Sequence, residues 1–273
     1  MSEWSPALQL YFSLLALFGG ACVGSFLNVC IHRIPRNQSV VRPRSHCPYC
    51  ETMIAWYDNI PIISYLLLGG KCRHCRAAIS PRYTVVEALT AFLFIALWLK
   101  YGWSILTPVY MLVTGGLILA TFVDLEHMII PDRVSIGGML AGLVLSAAVP
   151  ALHGEVRAFD GVIASVIGLA TGAGALWLVA VFGKMAFKKD AMGFGDVKLL
   201  GAIGAFMGWQ GVLFTIMLSS LAGSLVGLLF IFSGRHEWQS RIPYGPYLAL
   251  AAVIWILWGM EWWQAYLAWM SGG

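Results

Sequence analysis

Two acidic residues stand where apolar segments end or begin. Asp124 follows the apolar run from Leu117 to Val123, and Asp196 closes Gly193-Phe194-Gly195-Asp196 before another apolar segment. An acid at the edge of a membrane is energetically expensive, so it is a functional candidate. Two apposed carboxylates can share one proton, and one then activates water while the other polarises a carbonyl. The pattern therefore predicts peptide hydrolysis by Asp124 and Asp196 without a covalent intermediate.

The two glycines beside Asp196 have a physical use of their own. Because glycine lacks a Cβ, Gly193 and Gly195 can adopt backbone conformations closed to other residues and let a substrate strand lie against the chain. The alternative for this motif alone is a helix capped by Asp196 after a flexible loop. The chain contains no HExxH, GxSxG or P-loop sequence, so the usual signatures of metalloproteases, serine hydrolases and nucleotide-driven enzymes are missing.

Four cysteines form a second candidate site. Cys47 and Cys50 make one CxxC pair and Cys72 and Cys75 another, with a separation close to that of a four-cysteine zinc ribbon. Four thiolates saturate a tetrahedral ion, so we predict a structural zinc site at these cysteines. Disulfides or redox chemistry are the alternatives, and both are disfavoured if this segment faces a reducing compartment.

The elements that must position these residues are membrane helices. Of the 273 residues 59% are hydrophobic and only 11% are charged, which is too apolar for an ordinary soluble domain. We predict an all-α polytopic membrane protein with about eight transmembrane helices and a small cytoplasmic zinc-ribbon-like insert. The predicted helices span residues 8–31, 83–99, 105–123, 134–150, 159–182, 196–209, 211–232 and 245–269. Glycines four residues apart in several of them, such as Gly168 and Gly172, favour tight helix packing.

The positive residues predict the orientation of these helices. Eight lie between the first two segments: Arg33, Arg36, Arg42, Arg44, Lys71, Arg73, Arg76 and Arg82. That part of the chain is therefore expected in the cytoplasm. Counting spans from there puts seven more on the same side: Arg133, Lys184, Lys188, Lys189, Lys198, Arg235 and Arg241. Only Lys100 and Arg157 remain outside, and both termini are expected outside as well.

The same topology defines three parts and places the two acids at one depth. The parts are a first transmembrane helix (1–31), a cytoplasmic four-cysteine insert (32–82) and a helical bundle (83–273) that carries the aspartate pair. Asp124 and Asp196 both fall at cytoplasmic ends of their spans. The insert is too short to bury a sufficient core, so the zinc site is expected to stabilise it. Within it, residues 60–68 are predicted to form a strand, followed by a turn at Gly69-Gly70.

Taken together, these motifs resemble those of the bifunctional prepilin leader peptidases and N-methyltransferases of type IV pilus and type II secretion systems. The resemblance covers nearly the whole chain. The matching segments are Gly24 to Val29 with Arg33 and Pro35, Cys47 to Cys50, Tyr57 to Pro61, Lys71 to Cys75, Asp124 to Asp132, Gly193 to Asp196 and Pro243 to Tyr247. The GxGD pattern alone is shared with presenilin-like and archaeal preflagellin proteases, whereas the full set is specific.

The resemblance implies a bacterial inner-membrane enzyme with periplasmic termini. It removes a short basic leader after a glycine at the cytoplasmic face and then methylates the new N-terminus with S-adenosylmethionine. Its catalytic pair maps onto Asp124 and Asp196, and its methyltransferase activity is associated with the position of Gly70. Type IV prepilins and pseudopilins are the implied substrates, with no nucleic-acid partner. Anionic membrane lipids are the expected partners of basic residues such as Arg33 and Arg36.

One other class stays open from the residues alone. A transporter or scaffold could carry the same zinc-stabilised loop and use the two acids as a proton relay. Such a protein would leave a co-expressed prepilin uncut, so a shift in prepilin mobility distinguishes the two interpretations.

Overall fold

The long apolar segments form helices in the computed structural model, which describes residues 5–188, 192–233 and 243–271. The chain divides into two compact units, residues 1–119 (unit 1) and residues 120–273 (unit 2). The predicted division into a first transmembrane helix (1–31), an insert (32–82) and a helical bundle (83–273) stays a prediction. Three of the positive residues used to predict the orientation, Lys189, Arg235 and Arg241, lie outside the described residues.

Helices make up nearly all of the regular structure. Unit 1 contains α1 (Pro6–Arg33), α2 (Ile63–Leu67), α3 (Arg82–Tyr101) and the first part of α4 (Leu106–His127). Unit 2 contains the end of α4, α5 (Asp132–Ala148), α6 (Ala158–Phe187), α7 (Phe194–Phe232), α8 (Gly245–Ile254) and α9 (Met260–Met270), with a π-helical turn (Trp255–Gly259) joining α8 to α9. Short 3₁₀ turns occur at Trp56–Asn59 and Pro150–His153. The described residues form isolated β-bridges but no strand.

Within the described residues, six helical segments are long and apolar enough to cross a membrane, which agrees with the predicted all-α polytopic class. They are Pro6–Arg33, Arg82–Tyr101, Leu106–His127, Ala158–Ala186, Phe194–Phe230 and Gly245–Met270. All eight predicted segments are helical. The number of candidate membrane spans is six rather than eight for two reasons. The fourth segment forms α5, whose 17 residues are roughly 25 Å long. The sixth and seventh segments join in α7, which has 39 residues.

The two predicted segments within α7 meet at a bend. Gly208 has φ 68° and ψ −178°, which are not helical values, and the positive φ favours glycine. The hydroxyl of Ser165 donates to the carbonyl oxygen of Ala205 at 2.7 Å, and that of Ser146 donates to the same oxygen at 3.3 Å. Ser146 and Ser165 belong to α5 and α6, so both neighbouring helices are hydrogen-bonded to α7 beside its bend.

Glycines allow the closest helix contacts in each unit. In unit 2, a Cβ on Gly168 of α6 would overlap the carbonyl oxygen of Gly204 in α7, and one on Gly172 would overlap the carbonyl oxygen of Leu200. In unit 1, a Cβ on Gly24 of α1 would lie 2.7 Å from the Cα of Glu87 in α3. The prediction that these small residues serve helix packing is confirmed.

The predicted strand at residues 60–68 is wrong, because this segment forms a turn and the short helix α2. Ile62 has φ 63° and ψ −52°, and the N–H of Ile63 donates to the carbonyl of Pro61 at 2.6 Å, which is a γ-turn. Such a φ is unusual for a β-branched residue. The N–H of Ile62 donates at 2.8 Å to the carboxylate of Glu87, a buried residue of α3. This contact with a distant helix stabilises the turn.

Because Gly168 touches the backbone of Gly204, adding a single methyl group at Gly168 should disturb the contact between α6 and α7. We expect Gly168→Ala to destabilise the protein by about 1–3 kcal/mol, because the two backbones must move apart. Gly174→Ala, in the same helix, is the matched control, since its Cβ would meet no atom within 4 Å. Thermal unfolding of both variants in the same detergent measures the difference, and equal midpoints would contradict the close contact.

Candidate functional site

Asp124 lies in the last turn of α4 and is only 5% exposed. The backbone N–H of Gly245, the first residue of α8, donates to its Oδ2 atom at 3.0 Å. The carbonyl of Asp124 accepts the N–H of Met128 at 2.8 Å, and the chain then turns with a φ of 52° at Met128. The carboxylate is thus placed by the end of one helix and oriented by the beginning of another.

Asp196 lies in the first turn of α7 and is 9% exposed. Its N–H donates to the carbonyl of Gly193 at 3.2 Å. A Cβ on Gly193 would lie 3.1 Å from Oδ2 of Asp196, and one on Gly195 would lie 3.1 Å from Cβ of Ile130. Neither glycine has a positive φ. The expected unusual backbone conformation is therefore not found, and the glycines instead provide space for the acid and for Ile130.

The structure brings the two acids into one cavity. The cavity has a volume of about 320 Å³ and belongs wholly to unit 2. Its lining residues are Asp124, Met128, Ile129, Ile130, Asp132, Gly193, Phe194, Gly195, Asp196 and Lys198. The volume suits a short segment of a bound chain, and the lining combines apolar side chains with a few polar groups, as in ligand pockets generally. Two carboxylates in one such cavity can act on a single bound carbonyl.

The four predicted cysteine ligands also come together, in unit 1. Their sulfur atoms all lie within 4.8 Å of one another, and those of Cys47 and Cys75 are 3.7 Å apart. A tetrahedral metal with bonds of about 2.3 Å to sulfur requires sulfur–sulfur distances of about 3.8 Å. The cysteines are free rather than paired in disulfides. The cluster could therefore hold a metal ion.

Each CxxC pair lies on a turn of the same design. The N–H of Cys47 donates to the carbonyl of Thr52 at 3.0 Å, and the N–H of Cys72 donates to the carbonyl of Ala77 at 2.9 Å. The residue after the second cysteine has a positive φ in both turns, 56° at Glu51 and 61° at Arg76. Two matching turns that face each other are what a four-sulfur shell requires.

Comparison with known proteins identifies the family. Residues 18–101 match the Bacterial Peptidase A24 N-terminal domain, and residues 111–228 match the Type IV leader peptidase family. The chain is 39% identical over 277 residues to the prepilin leader peptidase/N-methyltransferase of Aeromonas salmonicida (strain A449), which covers 92% of this chain and 91% of that protein. The chain belongs to the type IV leader peptidase family. The resemblance drawn from the motifs is confirmed.

Other members of the type IV leader peptidase family match over nearly their full length. The prepilin leader peptidase/N-methyltransferase of Pseudomonas aeruginosa is 34% identical over 288 residues, covering 97% of both chains. The protein of the same name from Neisseria gonorrhoeae is 33% identical over 282 residues, covering 94% of both. No solved structure matches the chain.

Gly70 packs within the insert of this family member, in the turn before the third cysteine. Its φ is 67°, its N–H donates to the carbonyl of Tyr65 at 2.8 Å, and its carbonyl accepts the N–H of Ile79 at 2.7 Å. A Cβ at this position would lie 2.9 Å from the Tyr65 ring. Nearby, Arg73 donates two hydrogen bonds to the Asp58 carboxylate and holds its pKa below the usual value.

Sequence reasoning missed two features of the aspartate cavity. Lys198 Nζ forms an ion pair with Asp132 Oδ1 at 2.7 Å, joining the first turns of α7 and α5, and it also lies 5.3 Å from the centre of the Phe194 ring. Asp132 is largely exposed and lies in the first turn of α5, where its charge complements the helix dipole. The second missed feature is the Gly245 N–H, since its Pro-Tyr-Gly-Pro segment was matched but given no role.

The cysteine cluster makes a prediction that can be tested without an activity assay. We expect one bound metal ion per chain in protein purified without chelators, and its loss in Cys72→Ser, because three thiolates hold a tetrahedral ion less well than four. Cys22→Ser is the control, since Cys22 lies in α1 outside the cluster. Elemental analysis decides, and wild-type protein without stoichiometric metal would refute the site.

Proposed function

We propose that this chain is a prepilin leader peptidase and N-methyltransferase in which Asp124 and Asp196 form the proteolytic pair. One observation carries the proposal: two buried carboxylates, from helix ends far apart in the sequence, line a single cavity. Its relatives are named prepilin leader peptidase/N-methyltransferase, and this name supplies the substrate class and the second activity. Gly193 and Gly195 support the pair by leaving room for Asp196 and Ile130.

The pair hydrolyses a peptide bond by general acid–base catalysis. An ionised carboxylate takes a proton from water, while the other carboxyl, protonated, donates a hydrogen bond to the scissile carbonyl oxygen. The water oxygen bonds to the carbonyl carbon, and the C–N bond breaks as the leaving nitrogen gains a proton. Burial favours this chemistry because the charges act with little competing water.

The enzyme acts from within the bacterial inner membrane. The insert lies in the cytoplasm and both termini lie in the periplasm, which is supported by the concentration of positive residues between α1 and α3 and by the positive-inside rule. In this orientation Asp124 and Asp196 face the cytoplasmic side, where they meet prepilins and pseudopilins before export. Anionic lipids of the inner leaflet contact the basic residues after α1.

The metal of the cysteine cluster is structural zinc. Support comes from the four-sulfur donor set and from the 3.7 Å separation of the Cys47 and Cys75 sulfurs, which suits a tetrahedral thiolate shell. Four thiolates leave no position open for a substrate, so zinc stabilises the insert of residues 32–82 and takes no part in hydrolysis. A segment of this size needs such a cross-link.

Methyl transfer is the second reaction, and Gly70 is associated with it. S-adenosylmethionine supplies a methyl group on a positively charged sulfur. When bound, it would supply this methyl group to the free amine of the new N-terminus. Gly70 supports the reaction by letting Tyr65 and the turn before Cys72 pack closely.

Loss of either acid should abolish cleavage. We expect Asp124→Asn and Asp196→Asn each to lower prepilin processing by at least about 100-fold, because each removes a proton-transferring group. Asp160→Asn is the control, since Asp160 lies in the first turn of α6 and pairs with Arg157 at 2.7 Å. Mobility of a co-expressed prepilin reports cleavage. Normal processing by both variants would favour the transporter or scaffold alternative.

Cleavage and methylation should separate at Gly70. We expect Gly70→Ala to lose methylation and keep processing, because its Cβ would displace the Tyr65 ring. Gly69→Ala is the matched control: Gly69 also has a positive φ, 59°, but its Cβ would meet no atom within 4 Å. Mass spectrometry of the mature pilin N-terminus measures both reactions. Loss of both in Gly70→Ala, or equal methylation by the two variants, would contradict this role.

A further inference from the structure

We propose that the beginning of α8 positions the catalytic carboxylate of Asp124 through the backbone N–H of Gly245. The inference rests on the proposed function of Asp124 and adds a positioning residue to it. Two observations carry it: a buried hydrogen bond from Gly245 to one carboxylate oxygen, and a contact so close that a Cβ on Gly245 would displace the carboxylate.

The fit around Gly245 is specific to the carboxylate. The N–H donates to Oδ2 of Asp124 at 3.0 Å. A Cβ on Gly245 would lie 2.7 Å from Oδ2, 3.3 Å from Cγ of Asp124 and 3.3 Å from Cδ1 of Ile130. The φ of Gly245 is not positive, so the backbone conformation alone would accept other residues. A side chain here would push the carboxylate out of its position, because Oδ2 occupies the space that a Cβ would need.

The beginning of α8 is itself held in place by α7. The hydroxyl of Tyr244, the residue before α8, lies 2.7 Å from Oγ of Ser219 and 3.3 Å from Oγ of Ser220. Ser219 is fully buried. Pro246 occupies the first turn of α8, where its fixed φ favours a helix start. Asp196 and Ser219 both belong to α7, on opposite sides of its bend at Gly208, so α7 carries one acid and also anchors the group that orients the other.

This arrangement has a direct chemical consequence. A carboxylate that turns freely about its Cβ–Cγ bond presents its oxygens to water or to the scissile carbonyl only part of the time. The Gly245 N–H engages Oδ2, which leaves Oδ1 as the oxygen available for proton transfer in the cavity. Fixing a catalytic group in advance in this way raises the rate of the bound complex rather than substrate affinity.

The first test places a methyl group against the carboxylate. In purified protein with a prepilin substrate, we expect Gly245→Ala to lower kcat about 10-fold to 100-fold, with KM within about threefold of wild type, because a small displacement of a catalytic group is costly. The pH–rate profile should also move, since the altered contact is to a titrating group. Gly174→Ala is the control and should keep wild-type kcat, KM and profile.

The second test leaves Gly245 intact, so it can still decide the inference if Gly245→Ala does not fold. Tyr244→Phe removes only the hydroxyl that bonds to Ser219 and Ser220, and we expect kcat to fall about threefold to tenfold. Tyr247→Phe is the matched control, since Tyr247 lies in the first turn of α8 with its ring centre 6.5 Å from that of Tyr244. Tyr244→Phe should move the pH–rate profile, and Tyr247→Phe should not.

Three results would overturn the inference, and they are distinguishable. If Asp124→Asn cleaves normally, the proposed function fails, and the inference fails with it. If Asp124→Asn is inactive but Tyr244→Phe and any folded Gly245→Ala keep wild-type kcat, the positioning role alone is wrong. If these variants lose activity while the pH–rate profile keeps its shape and only falls in height, they have lost folded enzyme, and the role is again wrong.

Discussion

Burying two carboxylates in one cavity is the constraint on which unit 2 depends. Each acid loses hydration, and each faces a group that can carry charge of the same sign, so the arrangement persists only if the helices are held firmly. The support lies away from the acids. The close contact between Gly168 and Gly204 packs α7 against α6. Hydroxyl groups of α5 and α6 also donate hydrogen bonds to α7 near its bend. Because Asp196 lies in the first turn of α7, this packing fixes the position of one acid, and α8 fixes the orientation of the other.

Unit 1 meets a different constraint, since its insert is too small to fold around an apolar core. Two features take the place of that core: the four cysteines, whose sulfur atoms lie close enough to hold a metal ion, and the hydrogen bond between Ile62 and Glu87 that attaches the insert to α3. Glu87 is buried where α1 and α3 touch, because Gly24 leaves no side chain between them. The polar contact and the close helix packing therefore stabilise each other.

Features that depend on residues close together in the sequence could be predicted, whereas features that depend on contacts between distant residues could not. Apolar length predicted every long helix, and CxxC spacing predicted the sulfur cluster, because both signals lie within short segments. The predicted topology places Asp124 and Asp196 at one depth, and the structure brings both into one cavity. Residues 60–68 were misjudged because an apolar, β-branched run suits a strand by propensity, whereas Glu87 stabilises a turn there from a distant helix. The space that Gly195 leaves for Ile130 likewise depends on a contact between distant residues.

Gly245 marks the limit of reasoning from residue types. The group that contacts Asp124 is a backbone N–H, which every residue except proline possesses, so no side chain could reveal it. The only trace in the sequence is the missing Cβ. Several of the described glycines can be explained by helix packing or by a positive φ, and Gly245 fits neither explanation. Once those two causes are set aside, a glycine beside a buried acid indicates that the acid itself fills the space, and this is how a backbone contact with a buried acid can be recognised.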